Sequence, residues 1–131
     1  MLAAPERFHF SGGTGIFAPD ALADYLACAA DPATVHAMCE DYRAGAGIDD
    51  ALDEADRTAG RRIACPLLVL WGARGALPKW FDMLGVWRRW ADDVRGHGID
   101  AGHYLAEEAP QDVATALTAF LAARTPRPGA P

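Results

Sequence analysis

Side chains able to act as nucleophiles, bases or metal ligands are few in this sequence and can be weighed one at a time. Its 131 residues hold four histidines and three cysteines, and Ser11 is the lone serine. His103 stands in the turn Ala101-Gly102-His103-Tyr104. An imidazole in such a turn is a candidate proton acceptor near neutral pH, although a lone histidine after a strand is as readily a surface or packed residue. His9, His36 and His97 have no comparable setting and read as structural or exposed. Ser11 lies in Ser11-Gly12-Gly13-Thr14-Gly15, preceded by His9 and Phe10. A serine nucleophile elbow needs G-x-S-x-G between a strand and a helix, and a phosphate loop needs a terminal Gly-Lys-Ser/Thr. Neither is present, so the stretch reads as a flexible glycine turn.

Metal chemistry finds little support. Cys28, Cys39 and Cys65 are irregularly spaced with no CxxC pair, which fits reduced thiols better than a disulfide framework or a zinc site. Asp49, Asp50, Asp53, Glu54 and Asp56 are close in sequence. Ala51 and Leu52 break the alternation of oxygen ligands that a calcium loop requires, so these acids read as the solvated face of a helix. No metal or organic cofactor is implied.

Composition narrows the classes further. The formal net charge of −6 repels phosphate backbones, and no basic stripe offsets it; nucleic acid is excluded as a partner. No apolar run approaches the roughly 18 to 20 residues that cross a bilayer, so no membrane partner is expected. Residues 1 to 10 include Glu6, Arg7 and His9 and do not read as a secretory leader. The expected compartment is the cytoplasm. The length suits one domain with a single core.

Several elements must position the candidate residues. From Pro19 to about Ala30, Leu22, Tyr25, Leu26 and Ala29 recur at helical spacing. Asp31-Pro32 then opens a second helix, with Asp31 as N-cap and Pro32 in the first helical position. That helix runs to about Ala44, ends at Gly45, and carries Val35, Met38, Cys39 and Tyr42 on its apolar stripe. Residues 49 to 59 look only weakly amphipathic, anchored mainly by Leu52. At Ile63 the character changes. Cys65-Pro66-Leu67-Leu68-Val69-Leu70-Trp71 is continuously apolar and is closed by Gly72, the pattern of a parallel strand buried on both faces. A helix follows from about Pro78 to Asp92, with Trp80, Leu84, Trp87 and Ala91 on one side; Trp80, Trp87 and Trp90 read as packing residues. Val94 to about Asp100 reads as a second strand, and a last helix begins near Pro110 with Val113, Leu117, Phe120 and Leu121 on its apolar face. The order is α/β: residues 1–60 a helical cap segment, 61–124 a core, and 125–131 a Pro-rich disordered tail.

Three stretches together resemble a known family. The strand ending Leu70-Trp71-Gly72, the turn Ala101-Gly102-His103-Tyr104-Leu105-Ala106-Glu107-Glu108-Ala109-Pro110, and the cap stretch Met38-Cys39-Glu40-Asp41-Tyr42-Arg43-Ala44-Gly45-Ala46 are similar to α/β-hydrolases of the haloacetate (fluoroacetate) dehalogenase type. The resemblance covers roughly residues 11 to 123. It implies a partial α/β-hydrolase fold, consisting of a helical cap segment and the last strands and helices of a parallel sheet. It also implies hydrolysis of a carbon–halogen bond through an aspartyl ester, without a cofactor, on a small haloacid-type substrate. On this resemblance His103 matches the general base, and Tyr42 matches the cap tyrosine that donates to the departing halide. Tyr42 also lies on the apolar stripe, where burial alone would account for it.

The family's elbow, of the G-x-D-R-G type between a strand and a helix, is not found in the sequence: Gly98-Ile99-Asp100-Ala101-Gly102 matches only its glycines and aspartate and runs straight into the histidine turn, and after Gly72 the stretch Ala73-Arg74-Gly75-Ala76 offers no acid. The chain is therefore expected to correspond to the C-terminal half only. It should be inactive alone, and either poorly soluble, dimeric, or paired with an N-terminal half chain. A truncated or mis-started reading frame, half of a split enzyme, a non-catalytic binding module and an epoxide-hydrolase-like segment are the competing readings.

Overall fold

The computed structural model describes residues 13–123; Ser11, His9, most of the lead-in and the Pro-rich tail lie outside them. After a single 3-10 turn, Thr14–Ile16, the described chain begins with three consecutive helices: α1 (Pro19–Ala30), α2 (Pro32–Gly45) and α3 (Ile48–Thr58). The Asp31-Pro32 start is realised as expected. The Asp31 carboxylate accepts from the Ala33 N–H at 2.9 Å, and Pro32 occupies the first turn, where its missing N–H costs nothing.

α3 departs from the sequence reading. It is sharply amphipathic rather than weakly so, because Ile48, Leu52 and Ala55 share one face while Asp49, Asp50, Asp53 and Arg57 lie away from it. Ala55 is short and adds little apolar weight, yet at helical spacing it completes the stripe. The acids of this segment form a solvated helical surface, and among the described residues no group of three or more His, Cys, Asp or Glu side chains could hold a metal ion. The three cysteines are free and exposed.

The second part of the chain forms β1 (Leu67–Gly72), α4 (Leu77–Trp80), α5 (Met83–Trp87), β2 (Val94–Ile99), α6 (Leu105–Glu108) and α7 (Pro110–Ala122). β1 and β2 pair in parallel, with Leu67 opposite Val94 and Gly72 opposite Ile99. A single bridge, Ile63 to Ala91, extends the pairing ahead of them. α5 packs against both strands and α7 against β1. Val69, Ala91, Ile99 and Ala101 are the buried apolar residues of this core. Gly96 is required within it: a Cβ there would stand 2.0 Å from the Val69 carbonyl oxygen.

Two expectations for this part need correction. The helix expected over 78 to 92 is two short helices, α4 and α5, separated by Phe81-Asp82. Phe81 is extended, and the Asp82 carboxylate accepts from the Gly85 N–H at 3.0 Å, capping a new helix. The apolar period runs unbroken through this point, whereas a local side-chain-to-backbone bond competes with helix continuation. Trp80 consequently projects to solvent rather than packing. β1 also fails to be buried on both faces. Val69 and Gly72 are buried while Leu67, Leu68, Leu70 and Trp71 are only half-buried, and among the described residues β2 is the sole strand paired with β1.

Candidate functional site

β1 and β2 end level with one another, so the loops leaving their carboxyl ends run side by side. The ladder continues past the strands: the Ala73 N–H donates to the Ile99 carbonyl at 2.7 Å and the Arg74 N–H to the Ala101 carbonyl at 2.9 Å. The two loops touch so closely at Gly72 that a Cβ there would lie 1.7 Å from the Gly102 carbonyl oxygen. Only glycine permits this approach. His103 follows directly from that contact and is placed at the carboxyl end of the parallel sheet, where open α/β sheets carry their ligand sites.

The turn bearing His103 is held from inside by one carboxylate. Glu108, its side chain only 10% exposed, accepts from the Gly102 N–H at 2.6 Å and from the Tyr104 N–H at 3.2 Å. The Arg74 guanidinium approaches the same carboxylate at 3.6 Å and binds Asp100 at 2.5 Å. The position after β1 that held no acid in the sequence therefore carries a cation facing the carboxylates of the histidine turn.

On its outer side the turn is tied to the cap segment. The exposed His103 ring meets Tyr104 edge-on, with centroids 5.0 Å apart. Tyr104 meets Phe17 at 5.3 Å, and Phe17 meets Tyr25 of α1 at 5.6 Å. The Tyr25 hydroxyl donates to Glu107 Oε1 at 2.5 Å. This bond, followed by the negative charge of Glu107, raises the Tyr25 pKa above its ordinary value near 10.0, since both favour the neutral phenol.

Tyr42 sits on α2 with 80% of its surface exposed, and among the described residues its side chain makes no hydrogen bond or ring contact. Burial does not account for it within this segment. The tyrosine that reaches the histidine turn is Tyr25, which the sequence offered only as a member of an apolar stripe. Glu108, Arg74 and Tyr25 were all missed as site residues because their partners lie across loops and elements that no fixed spacing relates.

A curated relative, a fluoroacetate dehalogenase from a Burkholderia species, is 38% identical over 126 residues, spanning 91% of this chain and 41% of its own length. An alpha/beta hydrolase structure from Nostoc sp PCC 7120, so described provisionally, superposes with a TM-score of 0.80 at 45% identity. That match covers 86% of this chain and 38% of the other. The chain belongs to the α/β-hydrolase superfamily. This hydrolase segment matches equally well a Pseudomonas aeruginosa structure provisionally described as an epoxide hydrolase, with a TM-score of 0.79 and 46% identity. That superposition covers 87% of the hydrolase segment and 38% of the Pseudomonas chain. No protein-family model matches the sequence. The segment spans less than half the length of each of these relatives, corresponds to a C-terminal portion of their fold, and is dehalogenase-like.

Proposed function

We propose that this segment supplies the general base and part of the cap of a haloacetate-dehalogenase-type hydrolase, completed by a polypeptide that carries the nucleophilic aspartate. The observation that carries the proposal is His103 at the carboxyl end of a parallel sheet, in a turn that Glu107 and Tyr25 tie to α1, in a chain similar to a fluoroacetate dehalogenase. In the proposed reaction an aspartate oxygen attacks the carbon bearing the halogen. The carbon–halogen bond breaks, halide leaves, and an ester forms on the enzyme. His103 then takes a proton from water as the resulting hydroxide attacks the ester carbonyl; the acyl–oxygen bond breaks, the departing alkoxide takes the proton from the imidazolium to leave as the hydroxy acid, and the aspartic acid loses its proton to solvent. Tyr42, exposed on the cap and able to donate, is assigned to the halide. The segment alone has no ester to hydrolyse and is expected to be inactive.

The uncovered apolar surface supports the need for a completing polypeptide. Tyr25, Leu26, Val35, Met38, Ile48 and Leu52 of the three cap helices stand exposed, and β1 leaves a row of backbone groups on its second edge unpaired among the described residues. Such an edge and such a patch favour association.

The test is co-expression of the 131-residue chain with the nucleophile-bearing N-terminal part of the Burkholderia relative, assaying fluoride release from fluoroacetate. Activity is expected from the soluble pair and not from either chain alone. His103→Gln should stop turnover while a covalent ester accumulates and is detected by intact mass. A soluble pair that neither forms the ester nor releases halide overturns the proposal. The 46% identity to the Pseudomonas protein favours epoxide opening as a second reading; diol formation from an epoxide without halide release would select it.

A further inference from the structure

Resting on that hydrolytic reading, we infer that Glu108 is a positioning residue for His103, acting as a buried carboxylate clamp on the backbone of the histidine turn. Its two oxygens divide the work. Oε2 takes the N–H of Gly102 at 2.6 Å, and Oε1 takes the N–H of Tyr104 at 3.2 Å. These are the N–H groups of the two residues that flank His103, so one carboxylate holds the turn on both sides of the histidine. A carboxylate with 10% exposure is costly unless its charge is met. Here two charge-assisted bonds and the nearby Arg74 guanidinium meet it.

The chemistry specifies Glu. An amide at 108 would present one acceptor oxygen and one N–H₂ donor to two backbone donors, so it could keep one bond and would oppose the other. The adjacent acid has a different role, because Glu107 reaches out to Tyr25 on α1. The tandem Glu107-Glu108 thus divides between holding the cap and holding the turn.

The experiment is residue-resolved amide hydrogen exchange on the full 131-residue chain, comparing the wild type with Glu108→Gln and Glu108→Ala. Gly102 and Tyr104 are expected to be protected in the wild type. One of them should exchange at least about tenfold faster in Glu108→Gln, and both in Glu108→Ala, as expected for loss of a bond to a charged group. Exchange in β1 and β2 should be unchanged. Wild-type amides at 102 and 104 exchanging as fast as exposed loop amides would overturn the clamp even if neither variant folds, as would unchanged protection in the variants. In the reconstituted pair, Glu108→Gln is expected to slow ester hydrolysis with little change in the rate of ester formation, a split that general destabilisation would not produce. Protection without turnover in that pair sinks the hydrolytic reading and leaves the clamp standing; turnover without protection does the reverse.

Discussion

The three cap helices and the two-stranded core obey the same local rules, yet they end in opposite environments. α1, α2 and α3 have regular spacing, a Pro start in the first two and a side-chain cap on the second. None of their residues is buried. Around β1 and β2 the local signals are weaker, with short broken helices and glycines inside a strand, and among the described residues all four buried apolar side chains are found there. Helix formation needs only near neighbours in sequence, whereas burial needs a second surface. The cap helices have made their secondary structure without that surface.

This contrast can be broken most severely at glycine. Gly72→Ala drives a Cβ into the Gly102 carbonyl, backbone against backbone, and should cost about 3 kcal/mol or more. The expected result is loss of the cooperative urea transition. Gly45→Ala in α2 meets no atom within 4 Å and should stabilise by about 0.5 kcal/mol through helix propensity. If the two substitutions behave alike, the core and cap do not differ as described.

Arginine gives the next largest difference. Arg62 donates to the carbonyls of Arg88, Arg89 and Ala91 at 2.9, 2.7 and 2.9 Å and to Asp92 at 2.8 Å, joining the connection between α3 and β1 to the loop before β2. With the side chain 37% exposed, Arg62→Met should cost about 2 kcal/mol, less than the sum of its bonds because water screens part of them. Arg57, paired with Glu54 on the exposed surface of α3, should be replaceable by Met with no measurable shift of the unfolding midpoint.

The smallest effect sharpens the link between the two regions. Glu107 raises the Tyr25 pKa chiefly by accepting its hydroxyl. A folded-state pKa above the unfolded one means the tether contributes fully below the ordinary tyrosine value near 10.0 and is lost as pH rises through the raised one. Ultraviolet titration of the chain minus that of Tyr25→Phe should show a midpoint above 10.0, returning toward it in Glu107→Ala. An unshifted difference titration would mean that cap and turn are not joined at this point.

Much of the fold was legible in the chain. The apolar run from Cys65 and the Asp31-Pro32 pair state their structures directly, because hydrophobic continuity and capping chemistry act over a few residues. The Ala101-Gly102-His103 turn was legible too, as the segment that follows the second strand. The break at Phe81-Asp82 was not, since the apolar period that signals a helix survives it while the competing bond from Asp82 leaves no mark on that period. The roles of Glu108, Arg74 and Tyr25 were hidden for another reason. Glu108 was visible as an acid after the histidine, but nothing in its spacing says that it turns back to bind the amides at 102 and 104.

By itself the sequence determined the first two helices, the last helix and the parallel strands, since each depends on propensity, capping or periodicity within one segment. Only the tertiary structure decided that Arg74 and Glu108 meet beneath the histidine turn, that Tyr25 rather than Tyr42 reaches its outer side, and that the cap's apolar stripes remain uncovered. Those outcomes depend on which loops leave the sheet side by side, and that is fixed by strand register and by the close approach at Gly72.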